Sequence, residues 1–165
     1  MKQKLSACIG IVLLVFLDQF SKYLVLLYLK PVQKLSLLEG VFALEYVENR
    51  GAAFGILQNQ KLLFIILTII MIVLLGYAVI RMPSSRRYMP MLFVVSLLIA
   101  GAIGNFADRI FRSYVVDFLS FELIHFPVFN IADCYVTVSA VLLFFFISFY
   151  YKEEDFSFLW NRKVL

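Results

Sequence analysis

Long apolar runs alternate with short polar stretches along this chain. The runs extend from Leu5 to about Leu29, Leu62 to Ile80, about Met89 to Ile110, and about Asn130 to Tyr151. A helix needs about 20 apolar residues to cross a hydrocarbon core about 30 Å thick, so the pattern predicts four transmembrane helices. The wider intervals are about 30–57 and 111–129. In the first, Pro31 and Gly40 break the run, and Val41-Phe42-Ala43-Leu44-Glu45-Tyr46-Val47-Glu48 is partly alternating and rich in strand formers. That stretch predicts short strands on the membrane surface. The expected fold is an all-α polytopic membrane protein, one integral membrane domain over 1–165 with a small β-containing region outside the bilayer.

Composition supports this class. Of 165 residues, 63% are hydrophobic and only 16% charged, against about half and a quarter in a soluble domain. The net charge of +4 does not mark a nucleic-acid binder, because Lys and Arg are spread between apolar blocks rather than gathered on one face. They read instead as topology signals. With four spans both termini share a side, and Lys2, Lys4, Arg81, Arg86, Arg87, Lys152, Arg162 and Lys163 fall there; the positive-inside rule makes it cytoplasmic. Lys30, Lys34, Arg50, Arg109 and Arg112 lie near the opposite side, so the bias is modest. The first run begins like a signal peptide, but no small-residue cleavage site follows Phe16, and it is read as a retained helix. Leu5-Ser6-Ala7-Cys8 spells a lipobox, yet precedes the apolar core instead of following it, and is read as chance.

Polar residues inside the runs carry the candidate chemistry. Asp18, Ser21 and Lys22 stand at i, i+3 and i+4, on one face of the first helix. An Asp18–Lys22 ion pair that fixes packing is the simpler reading. A Ser21/Lys22 nucleophilic dyad is the alternative, with poor geometry because adjacent helical residues point about 100° apart. Asn105, Asp108 and Arg109 repeat the spacing at the end of the third run, after Gly101, Gly104 and Ala107, small residues that allow close helix approach. They read either as an interfacial cap with an Asp108/Arg109 pair reaching water or as part of a site. Cys8 and Cys134 lack metal or disulfide spacing, and the single histidine, His125, leaves no zinc motif.

Asp117 and Asp133 flank the second interval, where the chain leaves and returns to the bilayer. The topology therefore gathers both acids, the Asn49 segment, Asn105, Asp108 and Arg109 at the outer face. Two close carboxylates cannot both ionise easily, so one keeps a proton and the other can activate water. The plainer alternatives are a turn cap at Asp117 and a first-turn helix acid at Asp133. A non-enzymatic membrane protein that uses these polar residues to bind an ion or hold helices together is the rival from another class. Inverted repeats would favour a transporter, and none is visible.

The ordered blocks Asp18-Gln19-Phe20-Ser21-Lys22, Asn49-Arg50-Gly51-Ala52-Ala53-Phe54, Gly104-Asn105-Phe106-Ala107-Asp108-Arg109, Val115-Val116-Asp117-Phe118 and Phe129-Asn130-Ile131-Ala132-Asp133 closely resemble bacterial lipoprotein signal peptidase, also called signal peptidase II. The resemblance implies an intramembrane aspartic endopeptidase of the bacterial inner membrane with four transmembrane helices and a small extracytoplasmic β part. Its substrates would be diacylglyceryl-modified prolipoproteins, cut just before the lipidated lipobox cysteine. By motif, Asp117 and Asp133 match the catalytic dyad. Asn49, Asn105, Arg109 and Asn130 match residues around the substrate and inhibitor pocket, Gly51 suits close approach of a peptide backbone, and Asp108 matches a supporting residue. Asp18 and Lys22 match a first-helix motif expected to support the fold or the site. Inhibition by globomycin, metal-free and cofactor-free hydrolysis and a monomeric enzyme are also expected. Ala100 and Cys134 depart from the usual small-residue pattern without touching the dyad.

Overall fold

The computed structural model describes residues 2–51 and 60–160. Helix α1 (Lys2–Leu24) continues through a π-helical turn, Val25–Leu29. Strands β1 (Lys34–Leu38) and β2 (Phe42–Asn49) follow, then α2 (Lys61–Arg81), α3 (Met89–Phe111), β3 (Val115–Phe121) and α4 (Ile131–Phe149). The four long helical segments are apolar and long enough to cross a membrane. The shortest has 19 residues, a rise of about 28 Å and close to the hydrocarbon thickness. Bounds agree with the apolar runs to within a few residues because charge marks their ends. Pro90 lies in the first turn of α3, where a missing N–H removes no intrahelical bond.

Helix α3 is central: it packs against α1, α2 and α4 and carries more buried positions than any other element, whereas α2 buries none. The outward faces leave Leu62, Val73, Leu74 and Phe144 exposed, as lipid-facing side chains must be. Close approach to α4 depends on α3 glycine. A Cβ added to Gly101 would meet the Ala132 carbonyl oxygen at 2.6 Å, and one added to Gly104 would meet Asp18 Oδ2 at 2.5 Å.

The sheet has the antiparallel order β1-β2-β3. The strand expected over 41–48 is present as β2, and β1 precedes it. The interval 111–129 is not simply a loop, since β3 pairs with β2 in a register that sets Val47 opposite Asp117 and Asn49 opposite Val115. Beyond β3, the Phe118 and Leu119 amides donate to the Phe129 carbonyl at 2.9 and 2.8 Å. This pins the chain beside β3 just before it enters α4. At the opposite end of the bundle, Lys4 Nζ donates to the Ile80 carbonyl, and Arg87 forms a 2.6 Å ion pair with Asp155. Lys2, Lys4, Arg81, Arg86, Arg87 and Lys152 lie toward this end, remote from the sheet, with Glu153, Glu154 and Asp155 as its acids; Arg162 and Lys163 lie outside the described residues.

Gly101→Ala is expected to destabilise the detergent-solubilised protein by about 1–3 kcal/mol, because its Cβ meets backbone that cannot move aside. Gly76→Ala, whose Cβ meets nothing within 4 Å, is expected to be neutral or slightly stabilising. Thermal unfolding of both variants against wild type checks the packing.

Candidate active site

Asp117 projects from β3 and Asp133 from the first turn of α4, and three asparagines from separate elements hold the two acids. Asn130 caps α4: its Oδ1 accepts the Asp133 amide at 3.0 Å, while its own amide donates to Asp133 Oδ2 at 3.1 Å, a reciprocal capping box. Its Nδ2 donates to Asp117 Oδ1 at 2.6 Å, so one side chain ties both acids together. The β2–β3 register brings up Asn49, whose Nδ2 donates to Asp117 Oδ2 at 2.9 Å. From α3, Asn105 Nδ2 donates to Asp133 Oδ1 at 2.7 Å. Each of the four carboxylate oxygens thus accepts an N–H.

Asp117 is only 2% exposed. Burial, and after it the neighbouring Asp133 charge, pushes its carboxyl up to about 7, against the pull of Asn49 and Asn130. Both acids open onto a cavity of about 720 Å³. Asn49, Gly51, Asn105 and Arg109 line its polar part, while Phe126, Phe129, Val136 and Val138 supply apolar wall. Arg109 Nη2 donates to the Gly51 carbonyl at 3.2 Å, and its guanidinium lies 4.7 Å from the Phe64 ring centroid. The Gly51 amide donates in turn to Asn49 Oδ1 at 2.9 Å. Ala52, Ala53, Phe54 and Gly55, the rest of that small-residue segment, lie outside the described residues.

Beneath the acids lies a fully buried charge cluster. Lys22 Nζ is 3.0 Å from Asp18 Oδ2 and 3.0 Å from Asp108 Oδ2, and donates to Asn105 Oδ1 at 2.9 Å. This fits the expected Asp18–Lys22 pair and removes the Ser21/Lys22 dyad, since Ser21 Oγ donates to the Asp18 carbonyl at 2.6 Å instead. The Asp108/Arg109 cap reaching water is also overturned. Asp108 is wholly buried and pairs with Lys22 and Arg112, while Arg109 turns toward Gly51. Gln19 and Arg112 were not singled out from sequence, although both bind Asp108. The Asp108–Arg112 spacing of four was a readable signal; the Gln19 contact joins two helices and left none. Among the described residues, no three His, Cys, Asp or Glu side chains gather as a metal site.

The profile of the family described as Signal peptidase (SPase) II matches residues 10–149. A lipoprotein signal peptidase of Caldanaerobacter subterraneus subsp. tengcongensis is 44% identical over 138 residues, covering 83% of this chain and 92% of the relative. One from Streptococcus thermophilus is 39% identical over 154 residues, covering 93% and 97%. A solved bacterial membrane enzyme superposes with a TM-score of 0.76 at 33% identity, covering 85% of each chain. This chain belongs to the signal peptidase II family of membrane-embedded peptidases.

Proposed function

We propose that the chain is an intramembrane aspartic endopeptidase that removes signal peptides from diacylglyceryl-modified prolipoproteins, cutting before the lipidated lipobox cysteine. The observation that carries this reading is the meeting of Asp117 and Asp133 at one cavity that is polar at the acids and apolar along its wall. The names of the relatives support the substrate class. A peptide carbonyl fits the polar part, and acyl chains fit the apolar wall and the lipid beyond it.

The two acids titrate as a pair carrying one proton near neutral pH. The ionised acid takes a proton from water, whose oxygen attacks the scissile carbonyl while the protonated acid donates to the carbonyl oxygen. Collapse of the tetrahedral intermediate breaks the C–N bond, and a proton passes to the leaving amine. The products are a signal peptide ending in a new carboxylate and a lipoprotein beginning with the lipidated cysteine. Asn49, Asn105 and Asn130 hold the carboxylates in place. Arg109, held at Gly51, sits where its remaining donors meet substrate oxygens. The basic end of the bundle faces the cytoplasm in this reading, placing both termini inside and the acids near the outer face of a bacterial inner membrane. The enzyme acts as a monomer, and globomycin competes for the same cavity.

With purified protein in detergent and a diacylglyceryl lipobox peptide, Asp117→Asn and Asp133→Asn are each expected to lose at least about 1,000-fold in kcat while remaining folded. Ser21→Ala is expected to retain wild-type activity, and substantial cleavage by either Asn variant sinks the paired-acid reading. The Asp117 proton, held up to about 7, is lost as pH rises through that value. Wild-type kcat/KM is therefore expected to fall on the alkaline side, about tenfold per unit well above the limb. A profile flat from pH 6 to 9 contradicts this.

A further inference from the structure

The buried cluster beneath the acids does more than neutralise charge. Asp18 Oδ1 accepts the amide of Ala132 at 3.0 Å, and Asp108 Oδ2 accepts the amide of Val116 at 3.1 Å. Ala132 immediately precedes Asp133, and Val116 immediately precedes Asp117. Two carboxylates from two helices thus each grip the peptide N–H one residue before a candidate catalytic acid. Lys22 joins the grips, 3.0 Å from each carboxylate, and spends its third donor on Asn105 Oδ1 at 2.9 Å. That bond orients the Asn105 amide, because an oxygen facing Lys22 leaves Nδ2 to donate to Asp133. Gly104 leaves the space Asp18 needs to reach α4, since a Cβ there would lie 2.5 Å from Asp18 Oδ2 and 3.2 Å from Ala132 Cβ.

We infer that Asp18, Lys22 and Asp108 are positioning residues that form one clamp fixing the spacing of Asp117 and Asp133, and that Lys22 also fixes the Asn105 donor on Asp133. This rests on the paired-acid reading above. None of the three touches the substrate, and their effect falls on kcat. A carboxylate pair that shares a proton and a water tolerates little error in separation, and a misplacement of about 1 Å costs on the order of 100-fold.

The test is kcat and KM per folded molecule for Asp18→Ala and Asp18→Asn with the same lipidated peptide. Asp18→Ala loses the Ala132 grip and is expected to drop kcat by about 100-fold with KM within about threefold. Asp18→Asn keeps a carbonyl oxygen for that N–H and is expected to restore kcat to within about tenfold of wild type. Where Asp18→Ala does not fold, the charge-balanced double variant Asp18→Asn/Lys22→Met carries the test. It keeps the Ala132 acceptor but cuts the link to Asp108 and Asn105, and its kcat is expected to fall by at least about tenfold below Asp18→Asn alone. Folded variants with wild-type kcat and only a lower melting temperature overturn the clamp and leave the cluster a stabilising one. An effect confined to KM overturns it as well. Failure of the paired-acid reading is separate: it shows as cleavage surviving Asp117→Asn or Asp133→Asn in an otherwise wild-type protein.

Discussion

A carboxylate taken out of water must be supplied with hydrogen-bond donors by the protein, and this requirement organises the sheet end of the bundle. Asp18, Asp108 and Asp117 are buried together there with the largely enclosed Asp133. Backbone amides, asparagine side chains, Gln19, Arg112 and one lysine answer them, and among the described residues no buried side-chain nitrogen or oxygen lacks a partner. Donors for the upper pair come from amides alone, while those for the lower pair include cations.

Lys22 is the point where helix packing and site geometry meet. Removing one partner of a buried ion pair costs about 3–5 kcal/mol, because the other is left uncompensated. Here two carboxylates depend on one ammonium, and through their backbone grips so do the start of α4 and the start of β3. The glycines of α3 belong to the same arrangement, because the cluster forms only where the helices come close enough for short side chains to span the gap.

The helices were legible because each is a nearly charge-free run ended by polar residues, and Leu62–Ile80 became Lys61–Arg81. Strand β3 was not: Val115-Val116-Asp117-Phe118 is buried on both faces, so it shows no alternation, and its partner in β2 lies far back in the chain. The gathering of the Asn49 segment, Asn105, Asp108, Arg109, Asp117 and Asp133 followed from topology and Asn130 entered through the family motif, but the asparagines' grip on the carboxylates needed strand register and a helix cap. Of the two readings of Asp108, the cap reaching water falls, because position along a helix does not reveal which neighbour covers it. Arg109, one residue on, points about 100° away and finds a different partner.

The most direct measurement follows the oxygen that attacks the scissile bond. Cleaving the lipidated peptide in ¹⁸O-water with hydroxylamine present, then weighing the released signal peptide, distinguishes direct attack by water from an acyl-enzyme. The account predicts one ¹⁸O in the new C-terminal carboxylate and no hydroxamate, because water activated between Asp117 and Asp133 is the nucleophile. A hydroxamate, or a peptide covalently attached to the enzyme, would contradict it.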